Sequence, residues 1–161
     1  VVVVAGAFGQ ALGDRTQLGH GEVTREQVNV PLALRAPGLA PTRSERLVSL
    51  VDVLPTAFAL AHAPAAQALA TQGAGRDLLA AGFERDAALV RRAVRENERL
   101  DPGPIWALYT RGFKYVYRPQ LTDQLYDLSV DPDERENVLS AQLERGAALK
   151  KDLLARIGSA K

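Results

Sequence analysis

The spacing of apolar positions changes along the chain, and each change predicts a different element. Val1–Ala5 is an unbroken, mostly β-branched run, the pattern of a strand buried on both faces of a mostly parallel sheet. Gly6, Gly9 and Gly13 break it into a loop. The stretch "VNVPLALRA", residues 28–36, predicts a second strand, because a proline is tolerated near a strand start or edge, and "APGLAP" ends it. A short strand over 47–50 then leads into a helix, with Asp52 as its N-cap, Pro55 in the first turn and Val53, Phe58 and Leu60 on its buried face. Residues 65–82, rich in Ala and Gly, read as a loop with a short helical turn near 77–80.

Over 83–100 two patterns compete. Phe83, Ala87, Val90 and Val94 recur at helical spacing, whereas "RRAVRENER" suits a polar edge strand equally well. Three antiparallel strands are expected next, at 105–110, 113–118 and 124–128, the first two turning through Arg111-Gly112 between alternating aromatic runs. Trp106, Tyr109, Phe113, Tyr115, Tyr117 and Tyr126 are expected to pack one face of that sheet. Leu139, Leu143, Ala147, Leu153, Leu154 and Ile157 mark an amphipathic helix ended by Gly158, with Glu144 early and Lys150, Lys151 and Arg156 late, as the helix dipole favours.

Composition mostly removes possibilities. A net charge of +1 over 161 residues gives no electrostatic footprint for nucleic acid or an anionic membrane. The absence of cysteine excludes disulfides, thiolate metal sites and a Cys nucleophile, and leaves the compartment unread. No apolar stretch is long enough for a membrane span, and no basic segment followed by an apolar one reads as a signal peptide. Val1 opens inside a strand with no preceding element, so the chain reads as a piece of a longer one.

Several phrases stand in one order: the opening strand then "GQALGD", followed by "LGHG", "VPLALRAPG", "LVSLVDVLPTAFALA", "GRDLL", "ALYTRGFKYVY" and "QLYDLSVDPDERENV". Together they resemble the C-terminal part of a sulfatase of the alkaline-phosphatase superfamily, over nearly the whole chain. The resemblance implies an α/β fold: residues 1–82 as the C-terminal end of the sulfatase-like α/β core, and 83–161 as a small antiparallel sheet closed by a C-terminal helix. It implies a family chemistry in which a divalent cation, usually calcium, and a modified Cys or Ser nucleophile cleave a sulfate ester. In that family the nucleophile motif and two metal-binding carboxylates lie far upstream, so the N-terminal remainder of the parent domain is the implied partner. Family analogy favours an exported, periplasmic or membrane-tethered parent.

In active relatives the opening strand is followed by Asp-His-Gly or Asp-Asn-Gly, whose first two residues complete the metal site. The matching triplet here is Ala7-Phe8-Gly9. Neither a methyl group nor a phenyl ring offers a lone pair to a cation that requires oxygen ligands. Between Val1 and Gly13 there is no Asp, Glu, Asn or His, so a shift of register supplies none. No metal or cofactor is therefore expected in this chain, and Phe8 is expected to fill the vacated volume.

His20 of "LGHG" is the candidate catalytic-site residue: the resemblance places a Lys or His of this loop against the sulfate, where it gives a hydrogen bond or positive charge to the anion. Asp14-Arg15 departs from the family's acidic-then-histidine pair, which leaves Asp14 as a turn-former. His62 ends a helix, Asp52 caps one, and the acids Asp131, Asp133, Glu134 and Glu136 read as a solvated turn feeding the last helix. The expected function is a sulfatase-family portion, catalytically impaired by Ala7-Phe8, with a sulfate ester as its possible ligand. The alternatives are an active sulfatase or phosphonate-type ester hydrolase with upstream ligands, and a binding or assembly module.

Overall fold

A computed structural model describes residues 1–13, 18–19, 21–63, 75–92 and 103–159. Its packing divides the chain into two units, Val1–Ala7 with Val30–Asp86, and Phe8–Asn29 with Ala87–Lys161.

In the first unit, strand β1 (Val2–Ala5) pairs antiparallel with strand β4 (Leu32–Arg35), Val2 opposite Arg35 and Ala5 opposite Leu32. This corrects the expectation of a doubly buried strand in a parallel sheet, since Val2 and Val4 are 54% and 60% exposed. A β-branched run specifies extended backbone, but neighbours decide its burial. The expected strand at 47–50 is absent: the chain forms a single 3-10 turn, Leu50–Asp52, running into helix α2, Val53–Leu60. Around 77–80 the chain does turn, with the Ala80 N–H donating to the Asp77 carbonyl.

Asp52 stands at the N-cap position of α2, but its side chain makes no capping bond to that helix. Fully buried, it accepts hydrogen bonds from the Ser49 and Arg76 amides at 2.9 Å each, and from both sides of the Arg85 guanidinium fork. Thr56, also buried, donates to the Asp52 carbonyl and accepts the Leu78 N–H. The start of α2 is thereby stapled to residues 76–78 and 85. Gly75 permits the approach, because a Cβ there would lie 2.1 Å from the Val51 carbonyl oxygen.

The second unit is built on a four-stranded antiparallel sheet in sequence order: β5 (Ala87–Arg92), β6 (Ile105–Thr110), β7 (Phe113–Tyr117) and β8 (Gln124–Asp127). Residues 87–92 thus resolve the helix–strand ambiguity as strand; 93–100 lie outside the described residues. The Arg111-Gly112 turn joins β6 to β7 as its sequence predicts, and the Thr110 hydroxyl accepts the Phe113 N–H.

Period-2 alternation sends the aromatic residues to both faces, which corrects the expectation of one. Trp106, Phe113, Tyr115 and Tyr117 pack with Leu108, Leu125 and the last helix, α3 (Leu143–Ser159). Tyr109 and Tyr126 lie on the other face with Ile105, Ala107 and Val116, against Val23 and Val28. Helix α3 turns Leu149, Leu153 and Ile157 to the sheet, and Gly146 admits the Leu139 side chain, which a Cβ would meet at 2.3 Å. Leu143 and Leu154, expected on the buried face, are exposed, and Gly158 lies within the final turn rather than ending the helix. Among the described residues no helix is long and apolar enough to cross a membrane.

Candidate functional site

The glycine-studded loop after β1 is held by its backbone. Gly6 donates its N–H to the Pro31 carbonyl. Gly9 donates its own to the Gln27 carbonyl at 2.9 Å, so close to the short helix α1 (Arg25–Val28) that a Cβ on Gly9 would lie 2.0 Å from the Glu26 oxygen. The loop then forms a minimal hairpin, β2 (Ala11–Leu12) with β3 (Leu18–Gly19). Past His20, the Gly21 and Glu22 amides both donate to Oε1 of Gln27, at 2.7 and 2.8 Å. His20, Asp14 and Arg15 themselves lie outside the described residues.

Ala7 and Phe8 are both exposed in this chain, Phe8 at 62%. A divalent cation of the kind the family resemblance implies needs several oxygen donors. The side chains of Ala7 and Phe8 carry no atom that can ligate a cation, and among the described residues no three His, Asp or Glu side chains converge on a point.

A more elaborate polar assembly lies on the sheet, and sequence reasoning missed it. Lys114 falls on the core-facing side of β7 between apolar neighbours, where a charge requires a buried partner. That partner is Glu134. Glu134 also accepts the Tyr109 hydroxyl at 3.0 Å and the Arg25 N–H at 3.1 Å, while the Lys114 ammonium donates to the Val23 carbonyl and lies over the Tyr109 ring. Glu134 therefore does not belong to a solvated turn, and its left-handed backbone (φ 57°) is held by this pairing. The period-2 pattern carried the signal: a lysine in phase with Val116 and Tyr109, facing inward.

The other acids do build the turn. Asp131 accepts the Arg135 and Glu136 amides, and Asp133 pairs with Arg25 at a half-exposed site. Asn137 accepts the Leu125 and Leu139 amides, which ties the chain before α3 to β8. On the helix side, Asp123 accepts the Tyr115 hydroxyl at 2.6 Å, the Lys150 ammonium at 2.8 Å and the Arg118 N–H at 2.9 Å. Burial raises the Asp123 pKa, but these donors outweigh it and hold the carboxyl below its usual range. Burial, reinforced by Asp123, pushes the Tyr115 hydroxyl well above the ordinary tyrosine value. His62 is exposed at the end of α2 in a left-handed conformation.

Sequence and fold comparison gives these features their context. No family model matches the chain. It is 31% identical over 129 residues to arylsulfatase K of Gallus gallus, an alignment that takes in 68% of this chain and 22% of that protein. The phosphonate monoester hydrolase of Agrobacterium radiobacter superposes with a TM-score of 0.77 at 24% identity, covering 98% of this chain and 34% of that one. A candidate sulfatase of Bacteroides thetaiotaomicron superposes with a TM-score of 0.78 at 23% identity, covering 96% and 36%. The chain thus spans about a fifth of the length of its sequence relative and about a third of these solved chains. It belongs with the sulfatases of the alkaline-phosphatase superfamily and carries the C-terminal part of their fold.

Proposed function

We propose that this chain is the portion of a sulfatase-like ester hydrolase domain in which the metal centre has decayed, and that it serves its protein as a non-catalytic part, with the N-terminal remainder of that domain as its partner. One observation carries the reading. By the family resemblance Ala7 and Phe8 stand where two ligands are expected and have no lone pair to give, although the chain keeps the strand before them and the glycine turn and hairpin after them. Losing two ligands also removes the cation that keeps neighbouring carboxylates from repelling one another, so the rest of such a site has little to hold it.

Within this reading we assign His20 as the residue that contacts the anionic ester group. An imidazole needs no metal to donate a hydrogen bond to a tetrahedral oxyanion. The ester class extends from sulfates to phosphonate monoesters, because the fold is shared with hydrolases of both names.

The test uses the full-length protein carrying this sequence. Calorimetric titration with calcium is expected to give no saturable binding, and assays with an aryl sulfate and an aryl phosphonate monoester are expected to give no turnover. Tight one-to-one calcium binding, or turnover of either ester, would overturn the proposal and restore the active hydrolase.

A further inference from the structure

The four-stranded sheet gathers arginines at one end, where β5 finishes, β6 begins and β7 finishes. Arg92 stands opposite Ile105, and Trp106 opposite Tyr117, so the register carried one residue further sets Arg118 on the other flank of Ile105. Directly opposed residues project to the same face of a sheet. The two arginines therefore bracket the fully buried Ile105, their backbones two strand spacings, or roughly 10 Å, apart, a span that two side chains of this length can close on a small ion. Arg92 donates from Nη1 to the Gly103 carbonyl at 3.2 Å. Gln120 brings its amide to the same residue: a Cβ on Gly103 would lie 3.5 Å from Gln120 Nε2. Arg91, exposed over the Trp106 ring on the opposite face, adds a third guanidinium to this end of the sheet.

Arg118 is the member of this group that the fold leaves unanswered. Arg25, Arg85 and Arg156 each hold a carboxylate, and Arg46 and Arg76 each donate to a main-chain carbonyl. The Nε of the half-buried Arg118 is itself buried and donates to nothing, which costs the hydration of that N–H without return. Asp123, whose carboxylate already takes Tyr115 and Lys150, accepts only the main-chain N–H of Arg118. We propose that Arg118, with Arg92 and Gln120 beside it, forms a binding site for a tetrahedral oxyanion, a sulfate or phosphate group. A guanidinium offers Nε and one Nη as parallel donors to two oxygens of such a group, and this charge-assisted pair supplies the acceptor that Nε lacks. Arg92 places a second positive charge across Ile105, and the Gln120 amide adds a neutral donor. The site is built wholly on the second unit and is independent of the glycine loop and of what stands at Ala7 and Phe8.

The experiment titrates inorganic sulfate into the full-length protein by calorimetry, at an ionic strength held constant with sodium chloride, and follows backbone amide exchange by mass spectrometry with and without sulfate. The wild type is expected to bind sulfate, and bound sulfate is expected to slow exchange in the segments around Gly103 and Arg118. Arg118→Met is expected to weaken that binding by about tenfold or more, as the loss of a charge-assisted pair dictates, and to abolish the slowing. Arg118→Lys keeps the charge and loses the fork, so its affinity is expected to fall between the two, and it carries the test if Arg118→Met does not fold. A sulfated monosaccharide that binds more tightly than inorganic sulfate identifies the ligand as an ester, and one that binds no more tightly identifies it as the free anion; both outcomes support the site. Wild-type affinity in either variant, sulfate binding with no slowing around Arg118, or no sulfate binding by the wild type overturns the proposal.

Discussion

Lys114 on β7 and Glu134 in the turn after β8 form an ion pair whose side chains are each only 1% exposed. Charges taken that far from water cost several kcal/mol each, which is repaid only when every donor and acceptor finds a partner. Here Tyr109, Arg25 and Val23 complete the set. E134A, which strands the ammonium, is expected to destabilise the fold by about 3–5 kcal/mol, whereas the paired replacement K114M/E134L is expected to cost much less than either single change. Equilibrium urea unfolding of the three variants measures this, and a double variant as unstable as the sum of the singles would contradict it.

The Asp123 cluster sets an acid limit. A carboxyl held below its ordinary value of 3.8 in the folded chain stabilises above that value, and the contribution is lost as pH falls from about 4 through the folded pKa. D123N is therefore expected to be less stable than the wild type at neutral pH and to approach it below about pH 4. A gap in melting temperature that stays constant down to pH 2 would refute this.

Tyr115 gives the alkaline counterpart. Because burial and then Asp123 raise its pKa from 10.0, the stabilisation is complete below about pH 10 and disappears at higher pH. Absorbance titration of phenolate is expected to show Tyr115 ionising above the ordinary tyrosine range in the folded chain and returning to it in strong denaturant. Y115F is expected to remove that late step.

Two glycines sit where backbone meets backbone. A methyl group on Gly75 would lie 2.1 Å from the Val51 oxygen, and one on Gly9 would lie 2.0 Å from the Glu26 oxygen. Main-chain atoms have little room to yield, so G75A and G9A are each expected to destabilise by about 1–3 kcal/mol or more. G112A meets nothing within 4 Å and is the control. Thermal unfolding separates the three, and equal melting points would count against the close approaches.

Adjacent leucines report the rotation of α3. Leu153 is fully buried against the sheet and Leu154 is 43% exposed. L153A is expected to cost about 2–5 kcal/mol, and L154A under about 1 kcal/mol. The reverse order would mean that the helix presents the other face.

The local pattern of the sequence determined a good deal of this molecule. Period-2 alternation and a two-residue turn are enough to specify β6 and β7, and the elements at 105–110, 113–117 and 124–127 follow from it. The chemistry of Ala7 and Phe8 is equally local, since no tertiary contact gives a methyl or phenyl group a lone pair. Tertiary structure decided the rest. Residues 87–92 suit a helix or a strand alone, and pairing with β6 made them a strand. Asp52 resembled a cap until Arg85 and Arg76 arrived from more than twenty residues away, and Glu134 resembled a solvated acid until Lys114 and Arg25 enclosed it. The rotation of α3 was hidden for a related reason: its apolar residues cover a wide arc, and only the shape of the sheet, with Leu139 seated over Gly146, selected Leu153 over Leu154. Charges and helix faces are settled by partners distant in sequence, and periodicity within a window records only neighbours.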